Sequence, residues 1–203
     1  MKTKFLTIAT IFTLALGTVT ATYANDHNIN QVTTTLTNVG QINKIEIRGN
    51  VQLFVSDGTA DEVKVYNNYY SESALVQNKN GVLRISSYTP EKLVVWVTAN
   101  DLRAISAYDN AQVKSFGKLS KIDLAVDLYN HSSAQLNLDA FNATISVNDH
   151  AKADLTGSVN EYTLLHDQSA TVNQSNLSAA RVNDKVTNLP AAPAQNNNEL
   201  AIL

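Results

Sequence analysis

The 203-residue chain contains no cysteine. No disulfide can staple the fold, and no lipid can be attached through a new N-terminal cysteine. A core must therefore hold the structure, and a chain of this size can bury one continuous core as a single domain. Positive charge is also scarce: 15 Lys and Arg stand against 18 Asp and Glu, for a formal net charge of −3. With no basic stripe to neutralise phosphates, a nucleic-acid partner is excluded, and so is a polybasic membrane patch. Long apolar runs are missing too. Phe5 to Leu16 is too short to span a bilayer, and no later run is long enough.

What that short run does fit is an export signal. Lys2 and Lys4 precede it, and Thr22-Tyr23-Ala24 follows as a small-residue cleavage site. Cleavage after Ala24 leaves 203 − 24 = 179 residues, and losing Lys2 and Lys4 moves the net charge from −3 to −5. Expected boundaries are a signal peptide over 1–24, a lead segment over 25–41, a β domain over 42–188 and a Pro/Ala/Asn-rich tail over 189–203. The expected location is the periplasm or cell surface.

Helical periodicity is rare, while alternation with period two is common and marks half-buried strands. Ile45-Glu46-Ile47, Val51-Gln52-Leu53-Phe54-Val55, Val63-Lys64-Val65-Tyr66 and Val82-Leu83-Arg84-Ile85 read as strands. Asn78-Lys79-Asn80-Gly81 reads as a turn, since Asn and Gly tolerate left-handed backbone. Leu93-Val94-Val95-Trp96-Val97 is a continuous apolar strand, expected to be covered on both faces with Trp96 in the core. Further on, Ile122, Leu124, Val126 and Leu128 are expected to share one face.

A phrase then recurs: an apolar residue, mostly polar residues, an alanine, one residue, then Val or Leu. It reads Ile105…Ala111-Gln112-Val113, Leu128…Ala134-Gln135-Leu136, Val147…Ala153-Asp154-Leu155 and Leu164…Ala170-Thr171-Val172. The alanines are 134 − 111 = 23, 153 − 134 = 19 and 170 − 153 = 17 residues apart. Such a period predicts a stacked parallel β-helix (β-solenoid), with each alanine in a tight corner of its coil. An antiparallel sandwich is the rival.

These segments resemble the head GIN domain family of bacterial envelope proteins, which carry an adhesin label and no established activity. The resemblance runs from Ile42 to Val182. It rests on the strand pair at Ile45–Ile47 and Val51–Val55, on Asn80-Gly81-Val82-Leu83-Arg84-Ile85, and on the serial units after Ile105. It implies a right-handed parallel β-helix with an irregular N-terminal strand region, exported, with no catalytic residues to transfer. The family's corners are usually Ser-Gly rich, whereas this chain places Asn, Asp, His and Ser there.

Those corners supply the candidate residues for a ligand surface. His131 and His150 precede successive alanines by three residues, so stacking brings them together near Asp149 and Asp167. Imidazole with carboxylate suits zinc, but the spacing is loose and turn chemistry explains the residues equally well, so neither a metal nor a cofactor is expected. Asp109, Asp149 and Asp167 also line corners. Two carboxylates two coils apart would stand about 9.6 Å from each other, near the upper end of the inverting-glycosidase separation. Tyr69 and Tyr70, in the loop Asn67-Asn68-Tyr69-Tyr70, and Tyr108 and Tyr129, at corners, are aromatic candidates for a sugar or protein platform. The leading expectation is a non-enzymatic envelope protein that presents a surface to a glycan or protein partner. The alternatives are a polysaccharide hydrolase or lyase using the corner aspartates, and a purely structural envelope component.

Overall fold

Alternate residues are buried along most of the strands, the pattern of a sheet with one face turned to a core. The computed structural model describes residues 33–36, 39–66 and 74–187. The expected signal peptide, much of the lead segment and the 189–203 tail lie outside them. Within them run β1 (Thr33–Leu36), β2 (Lys44–Gly49), β3 (Val51–Asp57), β4 (Glu62–Tyr66), β5 (Ala74–Lys79), β6 (Val82–Ser87), β7 (Leu93–Ala99), β8 (Ala104–Ala107) and β9 (Gln112–Ser115). Four longer strands follow: β10 (Leu119–Leu128), β11 (Ser133–Val147), β12 (Lys152–His166) and β13 (Thr171–Val186).

All thirteen strands belong to one mixed sheet, curled as a half-barrel around its apolar face. This corrects the expectation of a right-handed parallel β-helix. Antiparallel ladders join β1 to β4, β4 to β7 and β5 to β6 within the same sheet that holds the parallel ones. The cause is local turn chemistry. Asn80 and Gly81 have φ of 53° and 79°, the type I′ geometry that closes a two-residue antiparallel hairpin. β4 likewise returns from the turn after Asp57 and pairs antiparallel with β7. A repeat confined to the second half of the chain carries no information on the direction of these N-terminal strands.

Two walls enclose the core. The first is β5-β6-β2-β8-β10, continued by the C-terminal halves of β11 to β13; the second is β1-β4-β7-β3-β9, continued by their N-terminal halves. Ile105, Val126, Ile145 and Leu164 are successive Cα partners in the first wall. All four are buried.

The register differs from the one obtained by matching alanines. In the second wall Val113, Ala134, Ala153 and Val172 are partners. Their offsets are 134 − 113 = 21, 153 − 134 = 19 and 172 − 153 = 19 residues. Ala111 sits two residues earlier, with Ser132 and Ala151: the amides of Ser133, Lys152 and Thr171 donate to the carbonyls of Ala111, Ser132 and Ala151. Those three small residues are fully buried. Small residues thus fill two adjacent columns, and a phrase search that keys on alanine jumps between them.

A second correction concerns Ile122. Leu124, Val126 and Leu128 are buried, but Ile122 is 76% exposed and its counterpart Phe141 53% exposed. The β10–β11 ladder steps from Lys121↔Ala140 to Asp123↔Asn142, skipping this pair. The long strands bend there from one wall to the other, and the bend reverses which residues face inward.

Candidate functional site

The two walls meet at a corner that the chain turns repeatedly: between β2 and β3, β8 and β9, β10 and β11, and β11 and β12. Gly49, Asp109, Asn130 and Asp149 occupy equivalent places there, with φ of 78°, 61°, 61° and 58°. Asn and Asp enter this left-handed region more readily than other side-chain-bearing residues. Each amide donates to the side chain of the next unit. Gly49 N–H reaches Asp109 Oδ2 at 3.2 Å, Asp109 N–H reaches Asn130 Oδ1 at 3.1 Å, and Asn130 N–H reaches Asp149 Oδ2 at 2.8 Å. The Asp149 amide donates to Asp167. The column starts with glycine for a steric reason: a Cβ on residue 49 would lie 2.1 Å from the Ser87 carbonyl oxygen.

Rings stack on either side of this ladder. Tyr108 and Tyr129 lie 4.9 Å apart with planes 5° from parallel. The Arg48 guanidinium sits 3.7 Å over the outer face of Tyr108, a cation–π contact. Tyr88, 73% exposed, donates its hydroxyl to Asp109 Oδ2 at 3.3 Å. His131 and His150 stack at 5.4 Å, both exposed. Tyr108 and Tyr129 thus come together, as do the two histidines, and Asp109, Asp149 and Asp167 share one hydrogen-bonded ladder. Tyr69 and Tyr70 lie outside the described residues. Among the described residues, no group of three or more His, Asp or Glu is placed to hold a metal ion.

Asp167 closes the ladder, at 4% exposure. Burial alone would raise its carboxyl pKa. Hydrogen bonds from the Asp149 amide, the Ser169 hydroxyl and the amides of Ala170 and Ser169 outweigh that and hold it below the ordinary value of 3.8. A general acid at neutral pH needs the opposite shift. Asp127, on the outer face of the first wall, is pushed upward by burial, with Lys44 and the Ser106 hydroxyl pulling it back.

Residues 41–188 match the model of the family described as "Putative auto-transporter adhesin, head GIN domain". The chain belongs to the head GIN domain family. No curated protein matches the sequence. Among solved structures, a "putative adhesin" from Bacteroides fragilis is similar to this head GIN domain with a TM-score of 0.67 and 16% identity, over 79% of this chain and 78% of that one. A "putative lipid binding protein" from Parabacteroides distasonis has a TM-score of 0.61 and 11% identity, over 78% and 79%. A "putative adhesin" from the same organism has a TM-score of 0.56 and 18% identity, over 77% and 78%. At these identities the likeness establishes the fold.

The head GIN domain carries a second surface that the sequence reading missed. Trp96 is not a core residue. It points outward from the second wall, stacked on Phe54 at 4.7 Å and 24°, with Phe116 tilted against it at 5.2 Å and Tyr66 at 6.5 Å. Phe116 is 63% exposed. The signal was in the alternation: Leu93, Val95 and Val97 fill the core on β7, and Leu53 and Val55 do so on β3. Trp96 and Phe54 therefore fall on the opposite phase. Treating Leu93–Val97 as uniformly apolar hid that phase.

Proposed function

We propose that this protein is an exported, non-enzymatic component of the cell envelope that works by binding, the role the adhesin label denotes. The observation that carries this reading is the use made of the corner carboxylates. A hydrolase or lyase on this frame would take its acid and base from Asp109, Asp149 or Asp167. Each of these accepts a backbone N–H from the neighbouring unit, so each is a turn cap first. Asp109 and Asp149 stand on an open corner two strands apart, about 9.6 Å, and the hydrogen bonds around the buried Asp167 hold its carboxyl more acidic than usual. Membership of the head GIN domain family and the N-terminal signal pattern support the envelope location.

The test is retention without turnover. Purified protein run through native gels containing envelope polysaccharide is expected to be retarded, and the same mixture is expected to release no reducing ends. Hydrolysis that disappears in Asp149→Asn, or mobility indifferent to every polysaccharide fraction, would reverse the reading.

A further inference from the structure

We infer that the outer face of the second wall, centred on Trp96, binds an acidic polysaccharide. This deepens the binding reading above and rests on it. The face is a preformed platform. Phe54 and Trp96 are cross-strand partners on β3 and β7 whose rings stack, and Phe116 and Tyr66 lean on the indole from either side. Because the rings hold one another, little side-chain freedom remains to be lost when a ligand arrives. Rigid aromatic faces suit the C–H face of a pyranose ring, which is apolar, while the sugar hydroxyls stay free for polar neighbours.

Those neighbours are in place. Along one row of the sheet the partners run Lys64, Trp96, Phe54, Lys114, Gln135 and Asp154. Lys64 is tied to Glu62 at 2.9 Å. Lys114 takes part in no ion pair among the described residues. A row beside it holds Gln52 and Gln112, which are partners, and Lys92 reaches Gln112 at 3.2 Å. Glu62 offsets Lys64 at one end and Asp154 lies two strands beyond Lys114, so the cations of this face outside any ion pair among the described residues are Lys114 and Lys92, on a chain whose net charge is negative. That local reversal of sign favours an anionic ligand. From Lys64 to Lys114 the row crosses three strand spacings, about 14 Å, longer than a monosaccharide, which favours a chain. The side-chain amides of Gln52, Gln112 and Gln135 then have hydroxyls to meet along the face.

Trp96 is the only tryptophan, so its fluorescence reports on this face alone. Purified protein is titrated with polygalacturonate, with neutral dextran and with phosphatidylglycerol vesicles. Polygalacturonate is expected to shift Trp96 emission saturably, and dextran and vesicles are expected to leave it unchanged. Phe116→Ala, at an exposed position, should weaken binding at least tenfold with an unchanged circular-dichroism spectrum. Lys114→Gln should weaken it several-fold and flatten its salt dependence. Emission that ignores polygalacturonate, or affinity equal in both variants and the parent, overturns the assignment; a response to vesicles alone overturns it in favour of a lipid surface. If polysaccharide still retards the protein in gels while Trp96 stays silent, this face fails and the broader binding reading stands. If no polysaccharide retards it, both fail.

Discussion

Gly157→Ala is expected to lower stability by about 2–6 kcal/mol. Gly157 has φ of 105°, a conformation that costs a side-chain-bearing residue about 1–3 kcal/mol. Space is a separate problem. A Cβ there would lie 2.0 Å from the Leu138 carbonyl oxygen and 2.9 Å from its amide nitrogen. Those are backbone atoms of the partner strand, since Gly157 pairs with Leu138 on β11 and Leu177 on β13. Relief requires β11 and β12 to separate, which adds an overpacking cost of about 1–3 kcal/mol. For a domain of this size the sum lowers Tm by about 10 °C, read by circular dichroism. Gly117→Ala is the control: φ is 80°, but no atom lies within 4 Å of the added carbon. It should suffer only the backbone strain. Equal losses at both positions would mean that the Leu138 contact is not what Gly157 protects.

Asp167→Ala is expected to cost about 2–3 kcal/mol at neutral pH. The buried carboxylate accepts from the Ser169 amide at 3.0 Å, the Ser169 hydroxyl at 2.9 Å and the Ala170 amide at 2.9 Å, besides the Asp149 amide. Removing the carboxylate takes the side-chain acceptor from the amides of Asp149, Ser169 and Ala170, while the Ser169 hydroxyl keeps the Asp149 carbonyl at 2.6 Å, and water can rescue only part of the loss. Asp167→Asn should lose less, because an amide oxygen can still serve the donors on Oδ1. The pH dependence follows from the direction of the shift. A carboxyl more acidic in the folded state than its unfolded value of 3.8 contributes stability that is complete above that value. The contribution disappears as pH falls through the lower folded pKa. The gap between parent and Asp167→Ala should therefore be constant from pH 7 to about 5 and narrow below about 4. A gap that widens in acid would show that Asp167 is not held as a carboxylate.

Most strands were legible in the sequence because alternation is a direct imprint of burial on one face. Ile45 and Ile47, Leu53 and Val55, and Leu83 and Ile85 all enter the core at the phase their spacing implies. The hairpin at Asn80-Gly81 was legible as a turn because both residues accept positive φ. Strand direction was not legible: a period-two pattern is identical in parallel and antiparallel ladders, so a repeat in half the chain left the direction of the N-terminal strands open. Register was half legible, because Ala111 and Ala134 are alike in chemistry and belong to neighbouring columns. Asp109 and Asp149 were legible as corner residues for the reason that makes them structural, while Asn130, which holds the same place between them, was not singled out. Asp109, Asn130 and Asp149 are there because they tolerate left-handed backbone and can cap an amide. The aromatic wall was overlooked because Trp96 sits among valines, where composition says core and only the phase says surface.

The chain stacks in the register that places Lys114 beside Gln135, and that register sets every column of the corner and the wall. The chain has no cysteine, so paired cysteines introduced at chosen positions report proximity without background. Lys114 and Gln135 are Cα partners, one strand spacing apart, about 4.8 Å, within the Cα range a disulfide accepts. Gln112 and Gln135, which alanine matching would align, are offset two residues further along the strand, about 8 Å apart, too far to bridge. Under mild oxidation, the Lys114→Cys/Gln135→Cys protein should cross-link within the monomer and the Gln112→Cys/Gln135→Cys protein should not. The reverse result would contradict the register and the surfaces built upon it.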